Sequence, residues 1–134
     1  AICDFNNQLE HLAYGASDFI LMPSRFEPCG LPQMIAPIYG SLPVAHDTGG
    51  IHDTIRDLDV ELNSGNGFLF NTFDENGLFW AIDQAMNFYN LPNHIKTEQI
   101  QRIMTESVAT FTHAKTARQY IELYEKMLKR PLIV

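Results

Sequence analysis

The chain has 134 residues, 46% apolar and 19% charged, which fits one globular domain with its own core and excludes a disordered segment. A formal net charge of −7 argues against a nucleic-acid or anionic-membrane surface, since both need basic patches. Two cysteines, Cys3 and Cys29, are too few for a disulfide framework and fit a reducing compartment.

No apolar stretch approaches the roughly 18 residues of a membrane span, and no signal-like segment opens the chain. A soluble, cytoplasmic protein is the expectation. "AICDF" starts directly on apolar residues, whereas domains normally begin in solvated linkers. It reads as the end of a buried strand, and the chain as a piece of a larger protein.

"NNQLEHLAYGAS" places Leu9, Leu12, Ala13 and Ala16 at the three-and-four spacing of a short amphipathic helix. "DFILMP" is a continuous apolar run stopped by Pro23, the pattern of a strand covered on both faces. "LPQMIAPIYG" predicts a helix entered through Pro32 and ended by Gly40. Pro37 falls inside it, and should kink it or confine regular structure to one side. "SLPVAH" reads as a strand, "DTGGIHDTIRD" as a Gly-Gly turn opening a short helix, and "NSGNGFLFN" as a turn and strand.

Beyond that the pattern is helical. Over 74–89, Leu78, Ile82, Ala85, Met86 and Tyr89 form an apolar stripe. Further helices are expected over about 95–108 and 114–128, the latter with Ala117, Tyr120, Ile121, Tyr124 and Leu128 on one face. All three stripes are read as core. Alternating strands and helices over 1–72, then mainly helices over 73–130, predict an α/β fold built on a parallel sheet.

Ligands of such sheets bind beyond the carboxyl ends of the strands. Three turns then fall on one edge: the loop after Met22, the Gly49-Gly50 turn, and the residues after Phe5. In "SRFEPCGLPQ", a helix beginning near Gly30 would turn free N–H groups toward that edge and receive an anion such as phosphate. Ionised Glu27 only accepts hydrogen bonds, which suits sugar or ribose hydroxyls. Alternatively it pairs with Arg25 or caps the helix. Cys29 is either a thiol activated by the helix end or, the reading preferred here, a small buried residue.

Thr48 either caps the helix opened by the Gly-Gly turn or meets a phosphate beside the Gly49-Gly50 nest. Five histidines, His11, His46, His52, His94 and His113, show no zinc-ligand spacing, so no metal site is expected.

The strings "SDFILMPSRFEPCGLPQ", "YGSLPVAHDTGGIHDTI" and "GNGFLF" together resemble bacterial glycogen and plant starch synthases, at that family's spacing. "ARQYIELYEKML" is similar to its closing helix, so the likeness covers nearly the whole chain.

The resemblance implies a Rossmann-like fold. Residues 1–134 would form the latter part of the C-terminal, donor-binding domain of a two-domain glycosyltransferase. It implies transfer of glucose from ADP-glucose or UDP-glucose to the non-reducing end of an α-1,4-glucan with retention, and needs no metal or cofactor. The implied partners are that donor, that acceptor and an N-terminal domain of the same protein, with neither nucleic acid nor membrane.

By the same resemblance Glu27 holds the donor as the catalytic carboxylate, and Cys29, Gly30 and Leu31 face its glucose and phosphates. Phe5 stands at the base-stacking aromatic position, six residues before a matching His11. Thr48, Gly49 and Gly50 form the second donor-side turn, while Arg25 and Gln33 hold the loop and helix start. The chain departs from the pattern at Pro32, which lacks an N–H, at Pro37, at His46-Asp47 where many relatives are basic, and at His113 in place of a Trp.

Cations are scarce on the donor side: Arg25 is the only Lys or Arg over 1–50, and seven of the nine lie over 96–130. A leaving pyrophosphate needs fixed positive charge. The family draws it from an earlier part of this domain and from the other domain, so these 134 residues alone are expected not to catalyse transfer. A different retaining glycosyltransferase and a non-catalytic binding module are the alternative readings.

Overall fold

The computed structural model describes residues 6–132. The strand expected at "AICDF" lies outside them. Helix α1 (Asn7–Ala16) leads into strand β1 (Phe19–Met22). Helix α2 (Pro32–Ile35) continues as a 3₁₀ turn (Ala36–Tyr39) into β2 (Leu42–His46). Helix α3 (Gly49–Thr54) precedes β3 (Phe68–Phe70), and α4 (Glu75–Tyr89), α5 (Asn93–Thr110) and α6 (His113–Leu128) follow. None of these helices is long and apolar enough to cross a membrane.

The three strands form a parallel sheet in the order β1-β2-β3, with Phe19 opposite Leu42 and Val44 opposite Phe68. Strand β2 is central and buried along its whole length. Side chains alternate between faces. Leu42, Val44, Phe68 and Phe70 pack with Ala81, Ala85, Phe88 and Ile103 of α4 and α5. On the opposite face Ala45 and Leu69 pack with Met22 and with Ile51 and Ile55 at α3. Helices therefore cover both faces of the sheet at β2 and β3.

Pro37 acts as anticipated. It has no N–H for an α-helical bond, and the α-helix gives way at Ala36 to a 3₁₀ turn that ends at Gly40 (φ 88°).

Three expectations need correction. Strand β1 lies at the end of the three-stranded sheet, and Leu21, on the face it shares with Phe19, is 57% exposed because α4 packs on β2 and β3 instead. In α4 the buried residues are Ala81, Ala85 and Phe88, whereas Met86 and Tyr89 are exposed. Lys96 sits 4.7 Å over the Tyr89 ring and its Nζ donates to the Tyr89 carbonyl. Helix α6 buries no residue, so its Tyr120, Tyr124 and Leu128 are not core. A period of 3.6 marks a face that can pack; it does not supply the partner.

Helix α4 starts on Asp74, whose carboxylate accepts from the Gly77 N–H at 2.7 Å. Asp74→Ala should cost about 1 kcal/mol, read as a lower urea midpoint with unchanged slope.

Candidate functional site

The loop over 23–31 follows β1 and the turn over 47–50 follows β2, so both stand at the carboxyl ends of neighbouring parallel strands. The two interlock through backbone. The Gly50 N–H donates to the Glu27 carbonyl at 2.8 Å. A Cβ on Gly49 would overlap that same carbonyl oxygen, and one on Gly50 would overlap the Cys29 oxygen and lie 2.6 Å from its Cα. Gly49 also has φ +49°. The Gly-Gly pair is thus the condition for seating one loop on the other. Two of the three turns expected on this edge are brought together; the third, after Phe5, lies outside the described residues.

Other groups fix the loop from beneath. His46 Nδ1 donates to the Ser24 carbonyl at 2.8 Å, which places the ring proton on Nδ1. Its ring packs against Phe70 and Phe73 at centroid distances of 5.3 and 5.0 Å. Gln33 is fully buried; its Nε2 donates to the Cys29 carbonyl at 2.7 Å and lies 3.4 Å from Thr54 Oγ1, which donates to the Gly50 carbonyl. Asp47 and His52 pair at 2.7 Å across the intervening turn.

On this support Glu27 is half-buried, and its carboxylate has no hydrogen bond or ion pair among the described residues. It neither pairs with Arg25 nor caps α2, whose cap position is Leu31 without a side-chain bond. An unpaired carboxylate above a rigid backbone can accept from the hydroxyls of a ligand.

Gly30 (φ +74°) and Leu31 (61% exposed) complete the loop. Their N–H groups make no hydrogen bond among the described residues. Helix α2 starts at Pro32, where the sequence predicted entry, but its α-helical part runs only four residues. An anion here would meet turn N–H groups, with little help from a helix dipole.

Cys29 is exposed, against the expectation of a small buried residue; its Sγ reaches only the Gly30 carbonyl at 3.6 Å. The loop bends so that its carbonyl, and not its side chain, faces the interior. Thr48 occupies the cap position of α3 in extended conformation, but its hydroxyl does not cap, and remains available to a ligand. Arg25 is exposed and makes no bond that holds the loop among the described residues.

His11 stands apart. Its Nδ1 meets the Tyr39 hydroxyl at 2.9 Å, and Tyr39 lies three residues before β2 begins, toward the amino ends of the strands. Beside it, burial and then Glu10, which accepts from the Tyr14 hydroxyl at 2.6 Å, raise the Tyr14 pKa well above the ordinary phenol. Among the described residues no cluster of three or more His, Cys, Asp or Glu could hold a metal ion.

The sequence reading missed His46, Asp47 and His52 as supports of this edge. The available signal was position: His46 ends a buried strand, where its ring must meet the next loop.

No family model matches the chain. A glycogen synthase of Bacillus cytotoxicus is 40% identical over 125 residues, covering 93% of this chain and 25% of the relative. The probable starch synthase 4, chloroplastic/amyloplastic, of Arabidopsis thaliana is 39% identical over 129 residues, covering 94% of this chain and 12% of the relative. The chain is homologous to part of the glycogen and starch synthases. It spans about a quarter of the length of the first glycogen synthases it matches.

Homology to these synthases extends to structure. The catalytic domain of starch synthase IV from Arabidopsis thaliana, solved bound to ADP and acarbose, superposes with a TM-score of 0.82 at 38% identity, over 95% of this chain and 26% of that one. The α/β architecture expected from the resemblance is the one found.

Proposed function

We propose that residues 1–134 are the latter part of the donor-binding domain of a glycogen or starch synthase. In this reading the parent protein transfers glucose from a nucleotide-glucose to the non-reducing end of an α-1,4-glucan, retaining the anomeric configuration. The observation that carries it is the interlocked pair of turns at the sheet edge, with the free Glu27 carboxylate and unpaired N–H groups of Gly30 and Leu31 on the same loop. ADP-glucose is favoured over UDP-glucose because the homologous starch synthase IV domain was solved with ADP. The α-glucan acceptor is supported by the acarbose bound to the same domain.

Glu27 accepts hydroxyls of the donor sugar, the turn over 29–31 meets glucose and phosphate, and Thr48, Gly49 and Gly50 line the phosphate from β2. Phe5, to which the resemblance assigns base stacking, lies outside the described residues. His11, held by Tyr39 toward the amino ends of the strands, takes no part in this surface. The remaining parts are an N-terminal domain of the same protein and further cations, since Arg25 is the only Lys or Arg over 1–50. A cytoplasmic location, or the plastid in a plant, goes with this activity.

Labelled ADP-glucose and glycogen test the reading. The full-length protein should move label into glycogen, whereas the 134-residue chain alone should not, because Arg25 is the only Lys or Arg over 1–50. A full-length protein with no transfer from either nucleotide-glucose would remove the proposal; transfer by the chain alone would show that the charge argument is wrong.

A further inference from the structure

Gln33 is fully buried, and its amide is only half used: Nε2 donates to the Cys29 carbonyl, while Oε1 has no hydrogen-bond partner among the described residues. Burying an acceptor without a donor is costly. Reversing the amide would set Oε1 against the Cys29 oxygen, so the orientation is fixed by the bond it makes.

That bond has a geometric consequence. No described peptide is cis, and in a trans peptide the C=O and N–H point in opposite directions. The Cys29 carbonyl is drawn inward, onto Gln33 and against the Cα of Gly50. The N–H of the same peptide plane, which belongs to Gly30, therefore points outward. It has no acceptor among the described residues. The plane is held by Gln33 and Gly50: Gln33 also packs against Gly30, where a Cβ would overlap its Oε1, and its amide approaches Thr54.

We propose that Gln33 is a positioning residue that sets the Gly30 N–H toward the donor phosphates. Gln33 never touches the ligand. It acts by keeping one peptide plane from rotating, so the donor is stabilised by an N–H that is already aligned. This rests on the donor-binding reading above.

The test is calorimetric titration of the full-length protein with ADP, comparing wild type with Gln33→Met and Gln33→Glu. Methionine keeps the volume but cannot donate, and should weaken ADP about tenfold, the worth of one aligned hydrogen bond, with a melting temperature near wild type. In Gln33→Glu, burial raises the carboxyl pKa. Its protonated form donates to the Cys29 carbonyl and its ionised form repels it. ADP affinity relative to wild type should therefore be near one at low pH and fall as pH rises. Taking the ratio at each pH cancels titration of the Asp47–His52 pair, Glu27, the Cys29 thiol and ADP itself, which both proteins share.

A role confined to stability would lower the melting temperature without this pH signature. Equal ADP affinity in wild type and Gln33→Met, or a pH-independent ratio for Gln33→Glu, overturns the proposal alone. Failure of wild type to bind ADP removes the donor-binding reading and this proposal with it.

Discussion

Glu27→Ala is expected to lower glucosyl transfer by about 100- to 1,000-fold in the full-length protein, the usual loss when one preorganised polar group is removed from a reacting centre. The fold should not respond. The side chain makes no hydrogen bond or ion pair among the described residues, and the contact that binds the two turns uses the Glu27 carbonyl, which alanine keeps. Melting should thus stay within the range of an ordinary surface substitution, about 0.5 kcal/mol. Glu27→Gln retains one acceptor oxygen and the shape but loses the charge, so it should fall between alanine and wild type. Unimpaired transfer by the alanine variant would take Glu27 out of the site.

Gly50→Ala is the larger structural perturbation. The new methyl would overlap the Cys29 carbonyl oxygen and lie 2.6 Å from its Cα, and these are backbone atoms that cannot swing away. The loop over 23–31 must lift, stretching the 2.8 Å bond from the Gly50 N–H to the Glu27 carbonyl. A cost of about 2–3 kcal/mol is expected, the upper part of the overpacking range, measured as a drop in the urea midpoint. ADP affinity should fall in the same variant, since Glu27 and Gly30 move with the loop. Gly49→Ala adds strain at φ +49° and should be at least as severe. Wild-type stability in Gly50→Ala would mean that the two turns are not seated on each other as described.

These variants separate what the sequence made legible from what it did not. The strands were readable because "DFILMP", "SLPVAH" and "GFLF" are apolar runs bounded by turn residues, and parallel pairing follows from the helices between them. Pro37 gave the break in α2 through simple backbone chemistry. Exposure was less readable. Leu21 and the stripe of α6 look like core in one dimension, yet whether an apolar face is covered depends on where other elements reach.

At the candidate site, the Gly-Gly pair alone reads as any turn. Its meaning comes from contacts between segments distant in sequence, where Glu27 and Cys29 carbonyls press on Gly49 and Gly50. Cys29 was misread for the same reason: a thiol among apolar neighbours suggests burial, but the carbonyl takes the inward direction and turns the side chain out. His46, which shows no metal-ligand spacing in the sequence, is a loop support.

The central claim, that the loop after β1 and the turn after β2 form one donor-binding surface, is tested most directly by titrating the ¹⁵N-labelled protein with ADP and following backbone amides. The account predicts saturable shifts centred on Gly30, Leu31 and the Thr48–Gly50 amides, moving together along one binding curve. Saturable shifts confined to another surface, such as the polar groove beside Arg102 and Ser107, or none at all, would contradict it.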